Sequence, residues 1–416
     1  MTKQDLRVIV IGGGAAGFFG AISCATANPR ARVTVLEAGR TPLAKVLISG
    51  GGRCNVTHHC FDPAILTQNY PRGGKALRGA FARFQPKDTI AWFESRGVKL
   101  KTEADGRMFP ITDSSETIAN CLLQRATEAG VQLRTGAKVE SLENIAPSCF
   151  KIRLKGGEIL ECDRVLLATG SNRLAYQWAK DLGHTIIPPV PSLFTFNIKD
   201  SRLQGLAGIS VETVRLRLLE TGKTKLEQVG PLLITHWGLS GPAVLKLSAW
   251  GARELRDRNY RNFLYVNWIP EYNAQTLRQH LLNYKAQFVK RKIATNCPVD
   301  LPKRLWQSLI HHLGIKPDKP WAELSNVLLN ALIEELVQGR YEIRGKGAFK
   351  EEFVTCGGVP LKEVNFKTME SRCCSGLYFA GEILDIDGIT GGFNFQSAWT
   401  TGWLAGQGIS LLRNNE

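Results

Sequence analysis

RVIVIGGGAAGFFGAISCATANPRARVTVLE, Arg7 to Glu37, decides the fold. It reads as an apolar strand (Arg7 to Ile11), a glycine turn, a helix through Phe18 to Thr26, and a second strand, RVTVLE (Arg32 to Glu37). Two strands joined by a crossover helix are the unit of parallel sheets. Gly12, Gly14 and Gly17 form GxGxxG in the turn, and Glu37 closes the second strand twenty residues beyond Gly17. Gly12 permits the tight turn, Gly14 lets the main chain approach a pyrophosphate, and Gly17 lets the helix pack closely on the strand. The helix start at Ala15 and Ala16 offers free N–H groups and a positive dipole to phosphates. Glu37, followed by Ala38, can accept hydrogen bonds from ribose hydroxyls. A glycine-rich turn alone would be only a turn; strand, helix and acid together predict a dinucleotide site.

Outward from this unit the α/β character continues. Helical patterns lie at Pro86 to Arg96 and Ser115 to Ala129, short strands at Gln132 to Arg134 and Phe150 to Leu154. RVLLATG (Arg164 to Gly170) has the continuous apolar run of a buried parallel strand, ending at Thr169 and Gly170. Composition changes after His184, where IIPPVPSLFTF brings in three prolines, and Val211 to Leu219 alternates like a half-buried strand. Between Ala274 and Gln338 apolar residues recur at helical spacing, which predicts a helical lobe. Strand and turn character returns at Gly357 to Val364 and Gly376 to Leu384, so the first domain is expected to be discontinuous. No internal repeat or low-complexity tract interrupts this pattern.

A GxGxxG turn serves FAD and NAD alike, so the choice rests on two further stretches. GLYFAGEILDIDGITGGFNFQSAW (Gly376 to Trp399), with VLLATG, resembles FAD enzymes of the glutathione-reductase-like group. In that resemblance Gly381 and Glu382 form the late turn at the ribityl chain, with Asp385 near its hydroxyls. Gly391, Gly392, Phe393 and Asn394 then open a helix aimed at the flavin pyrimidine, where its N-terminus suits negative charge. KVLISGGGRCNVTH (Lys45 to His58) supplies a bare backbone able to lie against a ligand, with Lys45, Ser49, Gly50, Gly51, Cys54 and Asn55 as candidate contacts. Arg53 is the cation expected to meet phosphate; the plainer reading is an ordinary surface arginine.

The length, 416 residues with 44% hydrophobic and 22% charged, suits a packed multidomain protein and excludes disordered, collagenous and fibrous classes. Ten cysteines occur without a CxxC pair or zinc-like spacing, which predicts reduced thiols, a cytoplasmic setting and no metal; the pair Cys373 and Cys374 reads as packing. No apolar run approaches a membrane span or a signal-peptide core. The net charge of +16 is compatible with nucleic acid, an anionic surface or anionic small ligands. Gly251 to Leu305 carries 11 Lys and Arg against four acids, with a solvated helical face as the alternative reading.

Several motifs combine in a wider resemblance: KVLISGGGRCNVT, GRMFP (Gly106 to Pro110), THWGLSGPA (Thr235 to Ala243), LPKRL (Leu301 to Leu305), TCGGV (Thr355 to Val359), TMES (Thr368 to Ser371) and GITGGFNFQ (Gly388 to Gln396). Together they resemble the HI0933-like flavoproteins, also called the aminoacetone oxidase family of FAD-binding proteins, which include the BaiN-type NAD(P)/FAD-dependent oxidoreductases. The resemblance implies an α/β protein with a Rossmann-like, glutathione-reductase-like FAD domain (1–190 and 357–416). It also implies an inserted β-rich, barrel-like domain (191–270, returning at 339–356) and a helical insertion at 271–338. Two positions depart from the pattern: His58 stands where Asn is expected, and Phe393 where GGYN has Tyr, which removes a phenol donor.

Among possible acid–base groups His236 is the candidate, in a turn that could sit over the flavin, against the commoner reading of a structural histidine. Ser240 is not expected to be a hydrolase nucleophile, because GLSGP lacks the final glycine of the elbow and a suitable preceding strand. The leading expectation is an FAD-dependent oxidoreductase that takes hydride from NADH or NADPH and reduces a small organic acceptor through flavin N5. The alternatives are an amine or alcohol oxidase producing peroxide, and a flavin-containing nucleic-acid-binding protein. Nucleic acid is the less expected partner, since the basic segment carries no recognised motif.

Overall fold

Strand β1 (Arg7–Ile11) and strand β2 (Arg32–Leu36) pair in parallel across helix α1 (Ala15–Ala27), with Arg7 opposite Arg32 and Ile11 opposite Leu36. This is seen in a computed structural model that describes residues 5–219, 226–347 and 354–411. β3 (Gln132–Arg134) extends the sheet beside β2, and β4 (Arg164–Leu167) extends it beside β1, both in parallel. β5 (Val364–Asn365) and β6 (Glu370–Ser371) form an antiparallel edge that joins through β7 (Leu377–Phe379), itself parallel to β4. The sheet order is therefore β5-β6-β7-β4-β1-β2-β3. Val8 to Ile11 and Val165 to Leu167 are all buried, as continuous branched runs in a central parallel strand should be.

Helix α1 is buried from Ala16 to Ala25, because its outer side is covered by helix α2 (Phe393–Ser410). Glycines let the two backbones touch: a methyl on Gly402 would lie 2.6 Å from the Ala16 carbonyl oxygen, and one on Gly406 2.5 Å from that of Gly20. The first half of α1 and the second half of α2 are thus in main-chain contact. The remaining predicted elements of this region are present as helices Pro86–Glu94 and Ser115–Glu128 and strand Cys149–Leu154. One expectation needs correction. Lys45 to His58 was read as bare flexible backbone, yet it begins as a helix at Ala44, breaking at Ser49 where Gly50 and Gly51 turn left-handed. The apolar residues Leu43 and Val46 are buried and anchor that turn, which outweighs the later glycines.

Spatially the chain divides into two units, residues 1–189 with 355–416, and residues 190–354. In the second, antiparallel strands run in the order Gly339–Ile343, Asn262–Asn267, Ser210–Leu218, Glu227–Thr235, Gly238–Ser240, Phe196–Asn197, Gly345–Lys346. The first and last of these are consecutive in the chain, and Arg344 donates to the Asn197 carbonyl, so the sheet closes on itself as a barrel. Helices Ala274–Gln287, Lys303–His312 and Asn326–Gln338 share one apolar core with the barrel strands, through Leu264, Trp306, Leu309 and Leu332. The strand before the GLSGP turn, Glu227–Thr235, alternates, with Leu232 and Ile234 in and Pro231 and Leu233 out, and pairs antiparallel, so it is not the buried apolar strand that leads into a nucleophile elbow. The Ser240 hydroxyl lies 3.1 Å from that of Thr195 and has no histidine beside it among the described residues.

Candidate functional site

The first corner is the β1–α1 turn. Gly12 has φ +111°, and a methyl there would meet the Ala168 carbonyl oxygen at 2.4 Å; one on Gly17 would meet the Gly12 oxygen at 1.9 Å. Both positions require glycine for packing. Gly14 differs: it caps α1, and a methyl there would meet nothing within 4 Å. The open space lies where a pyrophosphate needs access, at a helix start with no side-chain cap and no acid in its first turn. Glu37 is held in place by the N–H groups of Gly13 (2.8 Å) and Gly39 (2.7 Å), which position its carboxylate beside the turn. Ala15 and Ala16 form the first turn of α1, and Ala38 lies exposed next to Glu37.

Five more predicted residues adjoin this corner. Gly381 has φ +75° and approaches α1 so closely that a methyl on it would lie 2.9 Å from Ala16 Cβ. Its N–H is anchored by the Thr401 hydroxyl of α2 at 2.9 Å. Glu382 accepts from Lys45 Nζ at 2.8 Å and from the Thr355 N–H at 2.8 Å. Gly170 (φ +60°) faces both, 3.5 Å from Glu382 and 3.9 Å from Lys45 measured at an added Cβ, with Thr169 immediately before it.

The second corner is the start of α2. Gly391 (φ +129°) and Gly392 (φ +89°) leave no room for side chains: a methyl on Gly392 would lie 2.5 Å from the Thr57 oxygen. Here side chains, rather than bare backbone, make the support. With its amide turned to the orientation that satisfies both neighbours, Asn55 donates to the Thr57 carbonyl and accepts from the Gly392 N–H, each at 3.0 Å. Asn394 accepts from Gly388 N–H at 2.8 Å and donates to its carbonyl at 2.9 Å, cinching the preceding loop. Fully buried Gln396 accepts from the hydroxyls of Thr57 (2.6 Å) and Thr89 (3.0 Å) and donates to Thr400 (3.0 Å). Helix α2 again has no side-chain cap and no acid in its first turn.

The two departures from the family pattern touch each other. His58 stacks on Phe393 with ring centroids 4.6 Å apart, and its Nδ1 lies 3.0 Å from the Gly391 carbonyl oxygen. Tyr70 places a hydroxyl at the same turn and donates it to the Phe393 carbonyl at 2.7 Å. Burial holds that phenol well above its ordinary pKa, so it remains a neutral donor.

Other predicted residues turn elsewhere. Arg53 does not point at a phosphate position; its guanidinium bonds Glu103 at 2.7 Å, lies 3.6 Å from Asp113 and sits over the Phe109 ring at 4.0 Å. Two carboxylates and an aromatic face within reach outcompete a free anion. Asp385 is buried and accepts from the Gly357 N–H at 3.0 Å. Ser49 donates to the Val46 carbonyl and so stays within its own turn, beside left-handed Gly50 and Gly51. Cys54, fully buried and itself left-handed, has its thiol pushed up to about 12 by burial, against a hydrogen bond from Ser49. His236 lies exposed on the hairpin turn between Thr235 and Gly238, in the second unit.

Sequence reasoning missed Thr57, Thr89, Gln396 and Tyr70, which support the second corner. Gln396 was visible as the last letter of GITGGFNFQ; the others lie 307 to 339 residues from their partners and leave no local signal. Cys373 is exposed rather than packed, because Cys373 and Cys374 both donate backbone N–H groups to Ser371 Oγ in a surface turn. Nearby, ligand atoms of His184, Glu363 and Cys373 lie within 4.8 Å of one another, a grouping that spacing along the chain could not reveal. Both His184 ring nitrogens are already engaged, by Glu363 at 3.0 Å and Ser371 at 2.7 Å.

A glycine cradle open at Gly14, an acid fixed beside it and a second uncapped helix start have the form expected of a dinucleotide-binding protein. The chain belongs to the HI0933-like family, whose Rossmann-domain pattern matches residues 6–408, and it is an FAD-dependent oxidoreductase. It is 33% identical to the ribosomal RNA dihydrouridine synthase of Escherichia coli K12, over 99% of this chain and 100% of that protein. It is 32% identical to the 3-dehydro-bile acid delta(4,6)-reductase of Clostridium scindens, over 96% and 98%. Among solved structures, the 3-ketosteroid-delta4-(5alpha)-dehydrogenase of Rhodococcus jostii RHA1 shares the fold, with a TM-score of 0.51 at 14% identity, over 99% and 98% of the two chains. No helix among the described residues is long and apolar enough to cross a membrane.

Proposed function

We propose that this protein uses NADH or NADPH to saturate a carbon–carbon double bond conjugated to a carbonyl in a small organic acceptor. Bound FAD would supply the hydride chemistry between donor and acceptor. One observation carries the reading: two relatives matched over nearly the whole chain, with acceptors as unlike as a bile acid and ribosomal RNA, are named for the same kind of bond change. A delta(4,6)-reductase acting on a 3-oxo ring and an enzyme that makes dihydrouridine both remove a double bond in conjugation with a ring carbonyl.

The chain's own contribution is electrostatic and positional. The uncapped N–H groups at Phe393 and Asn394 favour negative charge beside them, and no acid in that first turn opposes it. Gln396, Thr57 and Asn55 keep the helix start from shifting as that charge appears. The sequence holds a single GxGxxG, so the nicotinamide donor binds transiently rather than in a domain of its own.

A second reading of the acceptor, a uracil ring in RNA, is favoured by the net charge of +16 together with the ribosomal RNA relative. Anaerobic mixing with NADH and with NADPH, followed by a 4,6-dien-3-one steroid or an unmodified ribosomal RNA transcript, tests both. Bleaching of the flavin, then reoxidation with a saturated product, is expected from one acceptor. Failure of both nicotinamides to bleach the flavin, or peroxide formation from amines or alcohols, would replace the reductase reading by the oxidase one.

A further inference from the structure

Within the second unit, two segments that are distant in sequence are laid side by side. The backbone of 289–293 runs antiparallel to 319–322: Ile293 N–H donates to the Lys319 carbonyl (3.0 Å), Trp321 N–H to Arg291 (2.9 Å), and Ala322 N–H to Val289 (3.1 Å). Lys292 and Pro320 form a β-bridge. The pairing, with the turn that leads into it, gathers Lys290, Arg291, Lys292, Lys316 and Lys319, four of them exposed, against only Asp318 and Glu323 across 289–293 and 316–323. Among the described residues none of the five has a carboxylate within ion-pair distance.

This surface is held rigidly from below. Trp321 and Trp306 are fully buried and stacked, with centroids 6.4 Å apart. Their indole N–H groups bond the carbonyls of Asn296 (3.2 Å) and Ile293 (2.8 Å), so the loop carrying the cations is tied to the core. Arg291 lies over the Phe288 ring at 4.4 Å, but cations without carboxylate partners concentrated on a fixed surface cost folding energy through mutual repulsion unless an anionic partner uses them. The gathered segments contain one exposed large apolar residue, Val289, too little to seat in a bilayer.

We infer that Lys290, Arg291, Lys292, Lys316 and Lys319 form a phosphate-contacting platform that docks structured RNA, an inference that rests on the RNA reading of the acceptor. Cations on a rigid surface fix the orientation of an RNA through its phosphates without reading sequence.

The test uses full-length holoprotein and transcribed, unmodified ribosomal RNA, with binding followed by fluorescence anisotropy over a salt series. The variants are Lys290→Ala/Arg291→Ala/Lys292→Ala and Lys316→Ala/Lys319→Ala. Arg153→Ala/Lys155→Ala, exposed cations of the first unit, is the control. The triple variant is expected to bind about tenfold or more weakly at low salt, with a slope of log K against log salt reduced by about 2. FAD content, circular dichroism and nicotinamide-driven bleaching stay unchanged in every variant. Equal RNA binding by the triple variant and the control overturns the platform while leaving the RNA reading standing. Lost RNA binding without loss of dihydrouridine formation in the wild type sustains both. Wild type that binds RNA through the platform but forms no dihydrouridine sinks the RNA reading alone. Binding to phosphatidylglycerol vesicles in place of RNA overturns the inference.

Discussion

The two helix starts of the first unit both lack a side-chain cap and an acid in the first turn, but they are built by different means. The start of α1 is made of backbone: Gly12 and Gly17 are packed to contact, Gly14 is left open, and a single side chain, Glu37, completes it. The start of α2 is made by side chains from distant segments, with Asn55, Thr57, Thr89, Asn394 and Gln396 bonding around Gly391 and Gly392. A backbone cradle announces itself by glycine spacing. A side-chain cradle depends on partners brought in by the fold, and the paired departures His58 and Phe393 stack together within it.

The comparison breaks most completely where the helices meet. Gly406→Val would drive a side chain into the Gly20 carbonyl oxygen, 2.5 Å from the first added carbon, and into Ser23, forcing the two helices apart where they cross. Loss of soluble protein, roughly 3 kcal/mol or more of destabilisation, is expected in a denaturant titration. Gln396→Leu separates the two corners. It leaves the buried hydroxyls of Thr57 and Thr89 without their acceptor, costing about 2 kcal/mol, and shifts the flavin potential while FAD still binds; an unchanged potential would deny α2 its role. Glu37→Ala acts on the other corner, and FAD affinity is expected to fall about tenfold, read by flavin fluorescence on dilution.

The smallest effect is alkaline. Burial pushes the thiols of Cys24, Cys54 and Cys162 up to about 12 from an ordinary 9.0. A folded pKa above the unfolded one gives stability that is complete below pH 9 and is lost as pH rises toward 12. Denaturant midpoints should therefore decline across that window, and less steeply in Cys54→Ala. An identical slope in that variant would show that Cys54 titrates normally.

Much of the α/β architecture could be read directly from the chain. Arg7 to Ile11 was bounded to the residue because a branched apolar run followed by glycine has no competing reading. The helix at Ala44 was obscured by the glycines that end it, and strand Glu227–Thr235 by alternation that dilutes its apolar signal. At the site, positions defined by backbone need, such as Gly12, Gly17, Gly381 and Gly392, could be recognised because no other residue fits them. Arg53 could not: a cation beside a glycine run suggests phosphate, but its partner Glu103 lies 50 residues away.

The central claim, that α1 begins at an open cradle for FAD, is tested most directly by the FAD-to-protein ratio of Gly14→Val. Nothing within 4 Å opposes the first added carbon, so the variant should fold with a native circular dichroism spectrum. It should purify with less than about a tenth of the wild-type FAD, since the new side chain fills the pyrophosphate approach. A folded Gly14→Val protein carrying full FAD would contradict the account.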